Sequence, residues 1–324
     1  MRSLDVIMEN FVYSINVTMP IFLVMVIGWF LKQRGMLDEH FVSVANKFNF
    51  QVTLPFLVFR DLSAVDIKAV FDLNYVLYCA LVTAVCFFVI WGGAKLLLKD
   101  QTMTGAFVQA SFRSSAAVMG LAFIENIYGP SAMGPLMIIG AVPLYNIFSV
   151  IVLTFEAADD GKEKDMSRLK QAGINILKNP IIIAIALGLF VAYFQIDFPT
   201  IVDNTVNNIA KMATPLALIG MGAGFEGRKA LAKLKPTIAA SLIKLVAQPL
   251  VFIPLAVALG FTGEKLIGIL VMLAAPATPS CYIMAKNMKN DGVLTASIVV
   301  TTTLLAAFTL TGWIFVLKCL QLIG

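Results

Sequence analysis

Apolar residues run along this chain in long blocks separated by short polar breaks, with little of the alternation that marks half-buried strands. Most blocks reach about 20 residues, the length a helix needs to cross hydrocarbon. Ten are predicted, at about 8–31, 40–59, 73–98, 102–124, 131–155, 174–195, 199–224, 235–260, 264–288 and 291–318. The longest polar break, 156–170, falls between five blocks and five. The pattern predicts an all-α membrane protein of ten transmembrane helices, divided as 1–156, a linker at 157–172, and 173–324.

The ninth block is interrupted. Residues 272–282 read Met-Leu-Ala-Ala-Pro-Ala-Thr-Pro-Ser-Cys-Tyr. Pro276 and Pro279 each lack a donor and crowd the preceding turn. Pro279 suits the first turn of a new helix, with Thr278 able to cap it. The expectation is a helix that stops, crosses mid-membrane and restarts, which is tolerated where the backbone is buried in protein or lines a wet cavity. A simple proline kink is the competing reading. The two halves also correspond. One offset of 160 residues carries Pro20 to Pro180, Gly28 to Gly188, Pro55 to Pro215 and Ala80 to Ala240. Five spans is an odd number, so a second copy enters from the opposite side. The result is an inverted-topology repeat, a construction frequent in transporters.

Charge sets the orientation. Residues Lys32, Arg34, Lys95, Lys99, Lys162, Lys164, Arg168, Lys170, Lys178, Arg228, Lys229, Lys233, Lys235, Lys286 and Lys289 fall in connections on one side. The other side holds Arg2, Arg60, Lys68, Lys265 and Lys318. Under the positive-inside rule the richer side is cytoplasmic, with both termini outside and the plasma membrane as the location. Only 13% of the residues are charged and mean hydropathy is +0.88, against about 25% charged in soluble domains. The net charge of +5 comes without a basic tail, so no nucleic-acid partner is expected. Cys79, Cys86, Cys281 and Cys319 lack metal-binding spacing, and His40 is the single histidine. No Walker A or His-Glu-x-x-His motif occurs, which argues against ATP drive and metalloprotease chemistry. Neither a metal nor an organic cofactor is expected.

Four basic residues fall within spans: Lys47, Arg113, Lys211 and Lys244. No Asp or Glu is expected well inside one. Buried charge in a bilayer faces a cavity or a partner, and an anionic substrate supplies the missing countercharge. Snorkelling to the interface is the alternative, above all for Lys47 and Lys244. The candidate substrate-binding set is Arg113, Ser114, Ser115, Gly120, Asn146, Lys211, Pro276, Thr278, Pro279 and Ser280, with Asn46, Lys47 and Lys244 as auxiliaries. Interhelical hydrogen bonding is the alternative for any single Asn or Thr. Restarted half-helices after Gly120 and after Thr278 would offer free amides and partial positive charge to an anion. The hydroxyls of Ser115, Thr278 and Ser280 are candidate sodium ligands; the coupling ion is expected to be a proton or sodium.

Three stretches carry a family resemblance. Span 4, Arg113-Ser-Ser-Ala-Ala-Val-Met-Gly120-Leu-Ala with Tyr128-Gly129 beyond it, resembles the Arg-x-Asn-x-x-x-x-Gly-x-Pro … Tyr-Gly pattern of the auxin efflux carrier family. Asn46-Lys47-Phe48 with Pro55 resembles that family's second span, and Ala275-Pro276 with Ala285-Lys286 its ninth. Ser115 stands where the family often has Asn, and Ala122 where it often has the crossover Pro, so the span-4 break rests on Gly120. The resemblance runs the length of the chain. It implies two inverted five-helix repeats with broken, crossing helices 4 and 9. It also implies a scaffold of helices 1, 2, 6 and 7, a moving unit of the others, and a homodimer through the scaffold. Bacterial members resemble carriers of small acids such as malate or malonate; plant members export indole acetate. The expected function is therefore a secondary carrier of small organic anions. Alternatives are a bile-acid-type sodium symporter, a cation–proton antiporter, or a membrane receptor without transport. An intramembrane enzyme is disfavoured.

Overall fold

The computed structural model describes residues 2–64, 72–116, 124, 127–128, 133–157 and 173–323, and among these no strand occurs. The helices follow the apolar blocks closely. Block one is α1, Arg2–Gln33. Block two is a pair, α2 (Glu39–Phe48) and α3 (Leu54–Ser63), joined by a π-helical turn at Asn49–Thr53. Asp38 caps α2 through Phe41 N at 2.6 Å, and Pro55 sits in the first turn of α3. Then come α4 (Leu73–Leu97), capped by Asp72, α5 (Thr104–Phe112) and α6 (Met133–Phe155). In the second half, α7 (Pro180–Phe194) is capped by Asn179. It is followed by α8 (Thr200–Lys211), α9 (Ala213–Ala223) and a short α10 (Gly227–Ala232). Helix α11 (Leu234–Leu242) continues through a second π-helical turn, Ile243–Ala247, into α12 (Gln248–Ala258). The chain ends with α13 (Gly263–Ala274), α14 (Ser280–Asn287) and α15 (Gly292–Cys319).

Among the described residues, four stretches are long and apolar enough to cross a membrane as single helices: Leu73–Leu97, Met133–Phe155, Leu234–Ala258 and Gly292–Cys319. Other blocks are divided, and the divisions have physical causes. The ninth block is no proline kink. Ala275 leaves α13 in extended backbone (φ −65°, ψ 148°), and α14 begins only after Pro279. In block four α5 stops at Arg113, also extended (φ −79°, ψ 134°). The expected position of this break is thereby corrected: Arg113 stands at the interruption itself, not two turns before it. Gly120 and Ala122 lie outside the described residues, as does most of the linker.

Helices meet most closely where glycine removes the side chain. A Cβ on Gly28 of α1 would lie 2.4 Å from the Ile219 carbonyl oxygen on α9. A Cβ on Gly188 of α7 would lie 3.0 Å from the Phe59 carbonyl oxygen on α3. The offset of 160 read from the sequence relates both partners, 28 to 188 and 59 to 219. The same offset carries Ser115 to Ala275, and these two breaks touch: Ser115 N donates to Pro276 O at 2.9 Å.

Charged connections gather at two ends. At one, Lys95 pairs with Glu156 at 2.6 Å, Lys233 with Asp291, and Lys32 with Glu39. At the other, Lys265 pairs with Asp72 at 2.5 Å, and Gly263 N reaches Leu322 O at 2.9 Å. Lys229, 2.7 Å from Glu226 at the first end, holds that carboxyl below its ordinary range by hydrogen bonding.

The glycine contacts yield a test. Gly28→Ala places a methyl against backbone that cannot swing aside, and overpacking of this kind costs about 1–3 kcal/mol. Gly312→Ala meets open space and is expected to be neutral or slightly stabilising. Thermal unfolding in detergent should lower the Tm of the first variant alone. Equal Tm values would contradict the close α1–α9 packing.

Candidate functional site

A helix that ends inside a protein strands its last carbonyls, and each must find a donor. The two interruptions solve this with side chains from neighbouring helices. At the end of α5, Gln248 Nε2 donates to Ser111 O at 2.6 Å and Lys244 Nζ donates to Phe112 O at 3.3 Å. Lys244 also reaches Gln248 Oε1 at 3.5 Å and is fully buried. A cation at a helix C-terminus is favoured by the helix dipole. Its position in the π-helical turn of the eighth block brings Lys244 inward, so it does not snorkel. At the end of α13, Ser114 Oγ donates to Met272 O at 2.6 Å and lies 3.2 Å from Ala275 O, while Tyr145 OH donates to Met272 O at 2.9 Å. Ala277 N finds Thr302 Oγ1 at 3.1 Å. Each break is thus held partly by the other.

Between the breaks lies a cavity of about 70 Å³. Its lining includes Asn49, Asp61, Arg113, Ser114, Ser115, Tyr145, Asn146, Thr214, Thr278, Pro279 and Ser280. The Arg113 side chain is buried, and its Nη1 donates to Met284 Sδ at 3.0 Å. Thioether sulfur is a weak acceptor, and no carboxylate pairs with this guanidinium among the described residues. Pro279 occupies the N-cap position of α14, so the positive end of that helix opens on the same space. Thr278 does not cap it as expected: its Oγ1 lies 3.2 Å from Ser280 Oγ instead. Asn146 Nδ2 donates to Val142 O at 2.9 Å, while its Oδ1 is buried with no hydrogen-bond partner. The cavity therefore brings together a buried guanidinium, a helix N-terminus, hydroxyls, one unused acceptor and the Asp61 carboxylate.

Most of the sequence candidates converge here. Arg113, Ser114, Ser115, Asn146, Thr278, Pro279 and Ser280 line the cavity. Pro276 contributes its carbonyl to the crossing. Lys47 and Lys211 are exposed in the last turns of α2 and α8 and do not line it. Asn46 is buried at the entrance on the Lys-rich end, where its Nδ2 reaches Tyr282 OH at 3.4 Å and its carbonyl accepts from Asn287 Nδ2 at 3.1 Å. A vestibule of about 450 Å³ lined by Lys32, Glu39, Glu226, Tyr282 and Lys286 lies beyond these residues. A second vestibule, about 550 Å³, is lined by Arg60, Asp61, Asp197, Asp203 and Asn207. The proposed sodium hydroxyls of Ser115, Thr278 and Ser280 share the cavity, and no metal-binding group of His, Cys, Asp or Glu occurs among the described residues.

Sequence reasoning missed Asp61. The second span was expected to end at residue 59, but α3 runs to Ser63 and brings the Asp61 carboxylate to the cavity. The signal was present: Leu54, Val58 and Asp61 sit at i, i+4 and i+7, one helix face. Tyr145, whose hydroxyl serves the Met272 carbonyl, was missed as well.

Comparison with known proteins follows the same line. Residues 13–314 match the family model described as "Membrane transport protein". The chain is 25% identical over 284 residues to "Uncharacterized transporter YfdV" of Escherichia coli K12, covering 85% of this chain and 88% of that protein. It is 24% identical over 279 residues to "Putative malonate transporter" of Rhizobium meliloti, covering 84% and 86%. A transporter of Methanothermobacter thermautotrophicus is 20% identical over 312 residues, 95% of this chain and 99% of its own.

The carbonyl-capping arrangement predicts the effect of one neutral substitution. Gln248→Leu leaves Ser111 O without its donor in a dry environment, a loss of about 1–3 kcal/mol. Thermal unfolding of the purified variant should show a clearly lowered Tm. An unchanged Tm would mean that the end of α5 does not depend on this bond.

Proposed function

Because the chain belongs to the membrane transport protein family, the auxin efflux carrier family whose motifs it carries, we propose that it is a secondary carrier. Its substrates are small organic anions, carboxylates of the size of malonate or malate, moved by alternating access. The observation that carries this reading is Arg113: a buried guanidinium beside the N-terminus of α14, with sulfur as its one protein acceptor among the described residues. Arginine presents paired donors that match a carboxylate in a bidentate fork. A carboxylate arriving there exchanges a weak sulfur contact for charge-assisted hydrogen bonds, while Ser115 and Ser280 add hydroxyls; Asn146 Oδ1 accepts from the hydroxyl of a hydroxy acid such as malate, a donor that malonate lacks. The name of the Rhizobium meliloti relative agrees with this substrate class.

The size of the cavity favours a small acid over a steroid one. At about 70 Å³ it has room for a few waters, since one water needs roughly 10–15 Å³ on the same measure. A bile-acid-type substrate is far larger. In our reading the chain forms two inverted five-helix repeats. The reciprocal glycine contacts at 28–219 and 188–59 support this arrangement. The two vestibules, on opposite sides of the Arg113 cavity, are then the alternating entrances. The Lys-rich end faces the cytoplasm and both termini lie outside the plasma membrane, following the charge bias. Helices α1, α2–α3, α7 and α8–α9 form the scaffold, supported by the packing of α1 on α9 and α3 on α7, and pair two copies into a homodimer.

Arg113→Lys tests the site. Lysine keeps the charge but lacks the fork. The variant is expected to remain folded and to lose affinity for malonate by about tenfold or more, or about 1.4 kcal/mol. Calorimetric titration of both purified proteins measures it. Equal affinities would make Arg113 a structural residue and reject this assignment.

A further inference from the structure

Asp61 is the one carboxylate among the described residues that lines both the Arg113 cavity and a vestibule. Its side chain is 15% exposed. Arg60, its neighbour in sequence, donates to Asp61 Oδ1 through Nη2 at 2.7 Å and Nε at 3.2 Å, so both bonds fall on one oxygen. On the cavity side it shares the space with Arg113 and Tyr145. On the vestibule side it faces Asp197 from the α7–α8 connection and Asp203 from α8, while α7 contributes apolar Val191. Two like charges therefore stand in the vestibule, and one opposite charge, Arg60, holds the carboxylate from its own helix.

Resting on the carrier reading above, we propose that Asp61 is the proton-coupling residue: it takes up a proton from the Asp197–Asp203 vestibule when the anion enters the cavity and gives it up when the anion leaves toward the other side. The reason is Coulombic. An anion held at Arg113 brings negative charge into the same confined space as the Asp61 carboxylate. Like charge nearby favours the neutral acid. Binding of the anion and of the proton are then linked, each raising the other's affinity by the same factor. The bonds change simply: one O–H forms on the carboxylate, the proton comes from vestibule water, and no electron transfer occurs. Arg60 keeps the ionised form available between cycles. The two vestibule aspartates raise the local proton concentration where Asp61 takes its proton up.

The sign of the linkage gives the test. If a proton is taken up with the anion, affinity falls as pH rises. Malonate is titrated calorimetrically into purified wild type, Asp61→Asn and Asp61→Glu, in two buffers of different ionisation heat, which reports protons exchanged. Near neutral pH, wild type is expected to take up about half a proton more per malonate than Asp61→Asn, the most that a tenfold linkage allows. At about pH 8 Asp61→Asn, which mimics the protonated acid, is expected to bind about tenfold more tightly than wild type, and the two should converge near pH 5. Asp61→Glu should keep the wild-type uptake. Wild type binding malonate without proton uptake would overturn the proposal, and this needs no variant. So would weaker binding by Asp61→Asn at both pH values, which marks a structural role. If wild type binds neither malonate nor malate, the carrier reading itself fails and takes this inference with it.

Discussion

The structure depends on how two interrupted helices settle their stranded carbonyls. Hydrocarbon and dry protein offer no water to the ends of α5 and α13, so each carbonyl needs a donor from another helix. Lys244 and Gln248 serve α5, while Ser114 and Tyr145 serve α13. These donors fix where the breaks can be, and the bond between Ser115 N and Pro276 O fixes how they cross. The positive end of α14 and the Arg113 guanidinium then share a cavity as a consequence of the same crossing. In the proposed reading, the anion site and the structural solution are one arrangement.

The positive charges at this centre divide by function. Lys244 and Arg113 are both buried and paired with no carboxylate among the described residues. Lys244 has carbonyl partners and completes a helix end. Arg113 has a sulfur and an open cavity, so its donors remain available. That contrast, rather than burial alone, distinguishes a structural cation from one able to receive a ligand. The surrounding frame makes the centre possible. Gly28 and Gly188 let backbone meet backbone between α1 and α9 and between α7 and α3, giving two rigid contacts against which the broken helices sit.

Much of this was legible in the sequence. Apolar block lengths located the helices because hydrocarbon thickness imposes a length that few alternatives share. Pro276 and Pro279 announced the ninth interruption through their missing donors. The fourth was read from Gly120, whereas the chain already departs from helix at Arg113, where no proline marks it. What stops α5 there is tertiary: donors at residues 244 and 248, more than 130 positions away, make an early end affordable. Lys47 and Lys211 were selected by apparent depth, but their faces of α2 and α8 are exposed. Depth along a span is visible in sequence; rotation about its axis is visible only where apolar periodicity is strong. Asp61 was passed over for the converse reason, since a span edge hid a helix that continues for another turn.

The central claim is that a small carboxylate binds between Arg113 and the N-terminus of α14. An experimental structure of the protein with malonate bound tests it most directly. The account predicts density for the anion in the cavity lined by Arg113, Ser115, Asn146 and Ser280, with one carboxylate on the guanidinium. Density for the anion elsewhere in the protein, or an uninterrupted helix through residues 275–279, would contradict it.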